Sequence, residues 1–241
     1  MPTQLSVNLN KIALIRNARG HDYPSVTAFA RLALASGAHG VTIHPRPDQR
    51  HARFDDIAPL GAVVAEFPGS ELNIEGYPTP EFLDAVLAAR PAQCTLVPDA
   101  PGQLTSDHGW DAIRHAGFLR EISARLRAAG IRVSLFMDPD PVQIAAVPAI
   151  GVDRIELYTE AYASRPEADV LAIYREAARL AGELGLGLNA GHDLNLRNLA
   201  GFLTIPDILE VSIGHALTVE ALESGFARTI AAYLDILRQA A

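Results

Sequence analysis

Apolar and polar residues alternate in short runs spaced along the whole chain. The first is Leu5-Ser6-Val7-Asn8-Leu9, followed by GVTIH from Gly40, LNIEG from Leu72, CTLVP from Cys94 and RVSLFMD from Arg132. RIELYT from Arg154, LGLNAG from Leu186 and ILEVSIG from Ile208 complete the set. Runs of this length and period predict strands. The stretches between them have apolar residues at helical spacing. Residues 25–37 stop at Gly37, and residues 79–91 open with Thr79 as N-cap and Pro80 at the first helical position, then stop at Pro91. Residues 112–130 carry Arg120, Arg125 and Arg127 on a polar side, and residues 167–185 and 219–239 are amphipathic. Four junctions, at Gly37, Gly130, Gly151 and Gly185, share the order helix, glycine, short link, strand. That order suits a helix ending in a left-handed residue. About eight such units in a chain of this length predict an α/β fold, a TIM (β/α)8 barrel over residues 1–241 as one domain. An open doubly wound sheet is the runner-up, but its first strand should lead into a glycine-rich turn; here it leads into Asn10 and Lys11.

The first strand also poses a chemical question. It runs into Arg16-Asn17-Ala18-Arg19-Gly20, a knot of cations and amides without an acid beside it. An anion bound there would explain it. The net charge of −8 does not argue against that, because a few local cations can outweigh distant charge. It does argue against a nucleic-acid surface. The one cysteine, Cys94, lies in a strand-like run and reads as core, with no internal disulfide available. The N-terminus lacks the basic start and apolar run of a signal peptide, and no apolar run approaches a membrane span, so the cytoplasm is expected.

In an eightfold barrel the active face is the C-terminal end of the strands. Polar residues collect there: Asn8 and Asn10, His44 and Arg46, Glu75, Asp138, Glu156 and Thr159, Asn189 and His192, Gly214 and His215. Two carboxylates and three imidazoles converging on one face predict a functional site there. NAGHDL and SIGHAL each end a strand in Gly-His, and glycine lets backbone approach a ligand closely. Loops after strands seven and eight, with a helix start beside them, suit a phosphate. Asn8 and Arg19 are expected to reach in from the adjoining first strand. His21, His39 and His115 read as solvated, and Asp138 as a site residue or a turn former. Metal binding finds no support in His or Cys spacing, so no metal is expected.

Taken in order, VNLNKIALIRNARG, GVTIHPRPDQRH, LNIEG, LVPD, VSLFMDPD, IELYT, NAGHDL and SIGHA resemble the pyridoxine 5′-phosphate synthase family over nearly the whole chain. The resemblance implies a TIM barrel with extra helices, assembled as an octamer of paired subunits. It implies condensation of 3-amino-2-oxopropyl phosphate with 1-deoxy-D-xylulose 5-phosphate to pyridoxine 5′-phosphate, inorganic phosphate and water, without metal or organic cofactor. Position by position, it makes His44 an acid/base group, Glu75 a second proton acceptor, His192 a proton donor and Glu156 a carboxylate steadying the transition state. Asn8, Arg19, Gly214 and His215 match the amino-ketone phosphate site; Arg46, His51 and Thr105 match positions holding the pentulose phosphate.

Some positions depart from that pattern. Asn10-Lys11 stand where the family usually has Asp-His, Asp99-Ala100-Pro101 where it has Glu-Lys-Arg, and Asp193 where it has Gly. The proton-transfer set is kept while the substrate-gripping set changes. Lys11 is expected to replace part of the positive field missing after strand four, with Asn10 removing a repulsion and Asp193 sitting close to a phosphate. Two alternatives stay open: a relative acting with the same acid/base set on another amino or keto compound, and a non-catalytic small-molecule-binding barrel.

Overall fold

A computed structural model describes residues 2–99, 102–103 and 105–240. Eight parallel strands close in sequence order into a barrel: β1 (Gln4–Asn8), β2 (Gly40–Ile43), β3 (Glu71–Gly76), β4 (Gln93–Leu96), β5 (Arg132–Met137), β6 (Arg154–Tyr158), β7 (Gly187–Gly191) and β8 (Ile208–Ile213). The seam joins β1 to β8, with Ser6 opposite Ser212 and Val7 opposite Ile213. Helices follow the strands: α1 (Asn10–Asn17), α2 (Val26–Ala35), α3 (Ile57–Ala65), α4 (Pro80–Ala89), α5 (Ala116–Ala128) and α6 (Pro141–Ala146). Then come α7 (Glu160–Ser164), α8 (Ala168–Glu183), α9 (Leu199–Phe202), α10 (His215–Ser224) and α11 (Phe226–Ala240). Fold class and strand order are those expected from the alternation.

The period-2 pattern has a specific meaning here. Leu5, Val7, Val41, Ile43, Leu72, Ile74, Leu96, Val133, Leu135, Ile155, Leu157, Val211 and Ile213 are buried in one apolar cluster with the helices. Their polar neighbours in sequence therefore turn into the barrel. Bonds across the barrel show this: Asn189 on β7 donates to Gln93 Oε1 on β4 at 3.3 Å, and Thr95 on β4 lies 3.5 Å from Glu156 Oε2 on β6. Barrel interiors are ordinarily filled by branched apolar side chains. This one is a stack of hydrogen-bonded polar groups. Ser6 meets Thr42 at 2.7 Å, Thr95 donates to Asn73 at 3.1 Å, and Arg154 donates to Asn189 at 3.1 Å. Arg132 pairs with Glu71 at the N-terminal end. Asn189, expected at the active face, belongs to this deeper stack.

Several junctions follow the sequence closely. Thr79 Oγ1 accepts the Phe82 N–H at 3.1 Å with Pro80 at the first helical position. Gly37, Gly130, Gly151 and Gly185 all have positive φ, between 73° and 98°, so each helix end uses the left-handed residue that glycine supplies most cheaply. Cys94 is buried in β4, and burial pushes its thiol up.

Other segments differ from expectation. The strand at the N-terminus ends at Asn8, and the stretch read as a polar knot is the end of α1. Asn8 Oδ1 accepts the Asn10 N–H at 3.0 Å, which turns the chain straight from strand into helix. The helix expected over 112–130 begins only at Ala116, and the one over 219–239 breaks at Gly225, where φ is 85°. His39 is no solvated histidine: it is half-buried, and its Nδ1 accepts the Leu5 N–H at 3.0 Å. Among the described residues, no helix is long and apolar enough to cross a membrane.

Candidate active site

At the C-terminal mouth of the barrel lies a cavity of about 670 Å³, the size of a small-molecule site. Asn8, Asn10, Lys11, His44, Arg46, His51, Glu75, Thr105, Glu156, His192, Asp193, Gly214 and His215 all line it. Arg19 is not among the lining residues; it is exposed beyond the end of α1. Ala100 and Pro101 lie outside the described residues.

The polar knot has another job. Arg16 is buried and pairs with Asp56, and it also donates to the His51 carbonyl at 3.2 Å. Asn17 Nδ2 reaches the carbonyls of Gln49, Arg50 and His51 at 3.2, 3.0 and 2.9 Å. These groups clamp the loop after β2, which carries Arg46 and His51 to the cavity. No anion is needed to explain them; the missing acid is Asp56, supplied from forty residues further along.

His44, Glu75 and Glu156 stand at the floor. His44 N–H is held by Asn10 Oδ1 at 2.9 Å, so the amide replacing an acid fixes the backbone of a site residue. Its Nδ1 lies 4.0 Å from Glu75 Oε2, and its Nε2 lies 3.6 Å from Asp99 Oδ2. Burial pushes the imidazole well below its usual range, and the nearby Arg46, His51 and His192 push the same way. The ring is therefore neutral near pH 7 and able to take a proton. Burial, then Glu156 and Glu210, pushes Glu75 well above the usual carboxylate range. Glu156 is raised to about 8, first by burial and then by Glu210. Its carboxylate occupies the space over Gly191, where a Cβ would lie 2.4 Å from Oε1. The glycine of NAGHDL thus makes room for a side chain of the neighbouring strand β6 rather than for a ligand.

His192 packs edge-on against Tyr158 and Phe136, with ring centroids 5.0 and 5.7 Å away. Burial lowers it, Asp193 and Glu160 raise it, and Lys11 lowers it further. His192 and Asp193 are consecutive non-glycine residues at positive φ, 86° and 58°, a conformation that costs on the order of 1 kcal/mol each. Thr159 Oγ1 holds the turn through the carbonyls of Gly191 and His192, while Asn195 and Asn198 donate to the Asp193 carbonyl at 3.2 and 3.3 Å. Asp193 is exposed and lines the cavity.

Beside it, after β8, α10 begins at His215 with Gly214 as its cap, and Gly214, His215 and Ala216 line the cavity. Free N–H groups at a helix start suit an anion. Gly214 is pressed onto Asn8, a Cβ there lying 2.9 Å from Asn8 Cβ. Across the mouth, Arg46 pairs with Asp99 and donates to the Gln103 carbonyl at 2.9 Å. Lys11 is close enough to both His51 and His192 to lower them, and His51 is lowered to about 4, mainly by burial and then by Arg46.

Sequence reasoning missed Phe136, Tyr158, Glu160, Arg50 and Ser106 in the lining. Phe136 and Tyr158 could have been found: each is two residues from an inward position, Ser134 or Glu156. Asp138 does not line the cavity, and its Oδ2 accepts the Gly109 N–H at 3.0 Å, so it anchors a loop. Among the described residues, no three His, Cys, Asp or Glu side chains are grouped to hold a metal ion.

Comparison with known proteins places the chain in a family. Pyridoxine 5′-phosphate synthase of Brucella anthropi is 52% identical over 98% of this chain and 100% of its own length. The protein of the same name from Allorhizobium ampelinum is 54% identical over 95% of this chain and 96% of its own. Among solved structures, a 4-hydroxy-2-oxoglutarate aldolase has a TM-score of 0.61 at 16% identity, covering 97% of this chain and 94% of its own. The tryptophan synthase α-subunit of Pyrococcus furiosus has 0.58 at 15%, covering 99% and 95%. These two share the fold alone. The profile of the pyridoxal phosphate biosynthesis protein PdxJ matches residues 5–239. With that match and relatives at half identity or more across nearly their full length, the chain belongs to the PdxJ family of pyridoxal phosphate biosynthesis proteins.

Proposed function

We infer that this chain is a pyridoxine 5′-phosphate synthase, an enzyme of vitamin B6 biosynthesis that closes the pyridine ring by acid/base catalysis. The observation that carries this reading is the convergence of His44, Glu75, Glu156 and His192 on one cavity. The head of α10 stands on one side of it and the Arg46–His51–Thr105 wall on the other. The substrates are 3-amino-2-oxopropyl phosphate, its phosphate on the Gly214–His215 N–H groups beside Asn8, and 1-deoxy-D-xylulose 5-phosphate, its phosphate toward Arg46, His51, Thr105 and Lys11. Imine formation, enolisation, dehydration and ring closure each move a proton. Neutral His44 takes protons. Glu75 exchanges them with the bound intermediate, its basicity raised by burial. Glu156, raised to about 8, holds a proton at neutral pH and offers it to a departing oxygen. His192, between Glu160, Asp193 and two aromatic rings, delivers a proton from the rim.

The chain acts as one domain over residues 1–241, in the cytoplasm, as a homo-oligomer, the octamer of paired subunits that the family resemblance implies. Light scattering on the purified protein giving a monomer would remove the last point. The central test supplies both phosphorylated substrates and follows pyridoxine 5′-phosphate together with inorganic phosphate. Equimolar release is expected. Neither product appearing, with each substrate bound, would favour the second reading, a relative acting on another amino or keto compound. That reading draws on the pairing of Arg46 with Asp99, which weakens the positive field meeting a second phosphate.

A further inference from the structure

We propose that Asp99 is a positioning residue for His44. It fixes the His44 proton on Nε2, leaves Nδ1 as the basic nitrogen on the Glu75 side, and provides the counter-charge when the ring takes up a proton. The proposal rests on the acid/base reading of His44.

Asp99 is buried and does not line the cavity, whereas His44, Glu75 and Arg46 do. It stands behind the working groups rather than among them. Its Oδ2 accepts from Arg46 and, at 2.9 Å, from Ser106 Oγ, so its position is fixed from two sides. The same oxygen lies 3.6 Å from His44 Nε2, while the other ring nitrogen lies 4.0 Å from Glu75. Oδ1 is buried without a hydrogen-bond partner among the described residues. The two carboxyls flanking His44 are unequal. Glu75 is pushed up by burial and by its acidic neighbours. Asp99 is pushed up by burial but drawn down by Arg46 and Ser106. Paired with the Arg46 guanidinium, Asp99 is the charged carboxylate facing Nε2, and it favours a proton on that nitrogen. A proton taken from the bound intermediate then ends on Nδ1, while the Nε2 proton stays in place, oriented by Asp99. Carboxylate-to-histidine contacts of this kind are often long before substrate tightens them.

The groups facing His44 are Glu75 from β3, Asp99 after β4, Arg46, Arg50 and His51 after β2, and His192 after β7. Of these, Asp99 and Glu75 are the acids, so neutralising Asp99 lowers the basicity of His44 and moves the acid limb of the kcat profile to lower pH. The test uses the full chain with both phosphorylated substrates and histidine labelled with 15N, the His44 signal being assigned with His44→Gln. The wild-type protein is expected to show the Nε2–H form above pH 8. Asp99→Asn should lower kcat by about 10–10²-fold, leave KM for the amino ketone within about threefold, lower rather than raise KM for the pentulose phosphate because Arg46 is released, and shift the acid limb down. Asp99→Glu keeps the charge and should leave the limb and the Nε2–H form in place, which keeps the test decisive if Asp99→Asn fails to fold. A wild-type His44 protonated on Nδ1 overturns the proposal. So does an Asp99→Asn enzyme with unchanged kcat and limb, or one that loses only KM. If His44→Gln itself keeps full activity, the acid/base reading of His44 has failed, not merely the role of Asp99.

Discussion

Replacing Gly214 with alanine measures how closely the head of α10 is fitted to β1. The added Cβ would lie 2.9 Å from Asn8 Cβ and 3.1 Å from Asn8 Cγ and Oδ1. Carbon atoms rest at about 3.5–4.0 Å, so one side must give way by about half an ångström. Asn8 has little freedom to do so: its Oδ1 caps α1 through Asn10 N–H at 3.0 Å, and its Nδ2 is 3.5 Å from Glu75 Oε2. Losing the cap costs about 1 kcal/mol, and overpacking adds about 1–3 kcal/mol. The sum of about 2–4 kcal/mol corresponds to a fall in Tm on the order of 10 °C for a chain of this size. If the helix head moves instead, its N–H groups leave the phosphate, and KM for the amino ketone rises by about tenfold or more. Gly61→Ala is the control: it lies inside α3 with nothing within 4 Å of the new Cβ, and should gain up to about 1 kcal/mol. Thermal melts followed by circular dichroism, paired with phosphate-release kinetics, read both effects. A Gly214→Ala protein with wild-type Tm and KM would refute the reasoning, as would a control that loses as much.

Arg16→Ala leaves Asp56 half of a nearly buried pair and frees the loop after β2; a loss of about 3 kcal/mol is expected in urea melts, and an unchanged midpoint would deny the clamp. Asp193→Gly keeps the left-handed backbone at lower cost and removes a charge that raises His192. The protein should become slightly more stable, with the His192 imidazole titrating at lower pH by NMR; an upward shift would contradict it. Glu156 is raised in the folded state to about 8, so the stability it contributes is complete below pH 4–5 and lost as pH rises through 8. Glu156→Gln should therefore flatten the fall in Tm between pH 5 and 9, and an unaltered slope would count against the assignment. Lys11→Met removes a cation that lowers both His51 and His192; both rings should titrate higher, and binding of the pentulose phosphate should weaken most at low salt. Unchanged binding at low salt would show that Lys11 takes no part in holding that phosphate.

The barrel was legible in the chain alone. Period-2 runs separated by capped helices leave few ways to bury one face of each element, and glycines at four helix ends mark where the chain reverses. Most of the mouth was legible too, because residues at the C-terminal ends of barrel strands gather on one face: His44, His192 and Gly214 just past β2, β7 and β8, and Glu75 near the end of β3. Tertiary structure decided what sequence distance hides. Arg16 and Asn17 look like an anion site until Asp56 and the loop after β2 fold against them, since the acid that neutralises a cation need not be near it in the chain. Asn189 looks like a site residue until the register sends it into the polar stack. Gly191 looks like a place for a ligand until the Glu156 carboxylate is seen to fill the space over it. Asp99 is a remnant of a changed loop in the sequence; only the barrel, bringing the ends of β2 and β4 together over β3, sets its carboxylate 3.6 Å from His44. Local pattern fixes which face a side chain takes, because pleat and helix periods are set by backbone sterics. Which distant group meets it there depends on closure of the barrel, and closure is a property of all eight strands together.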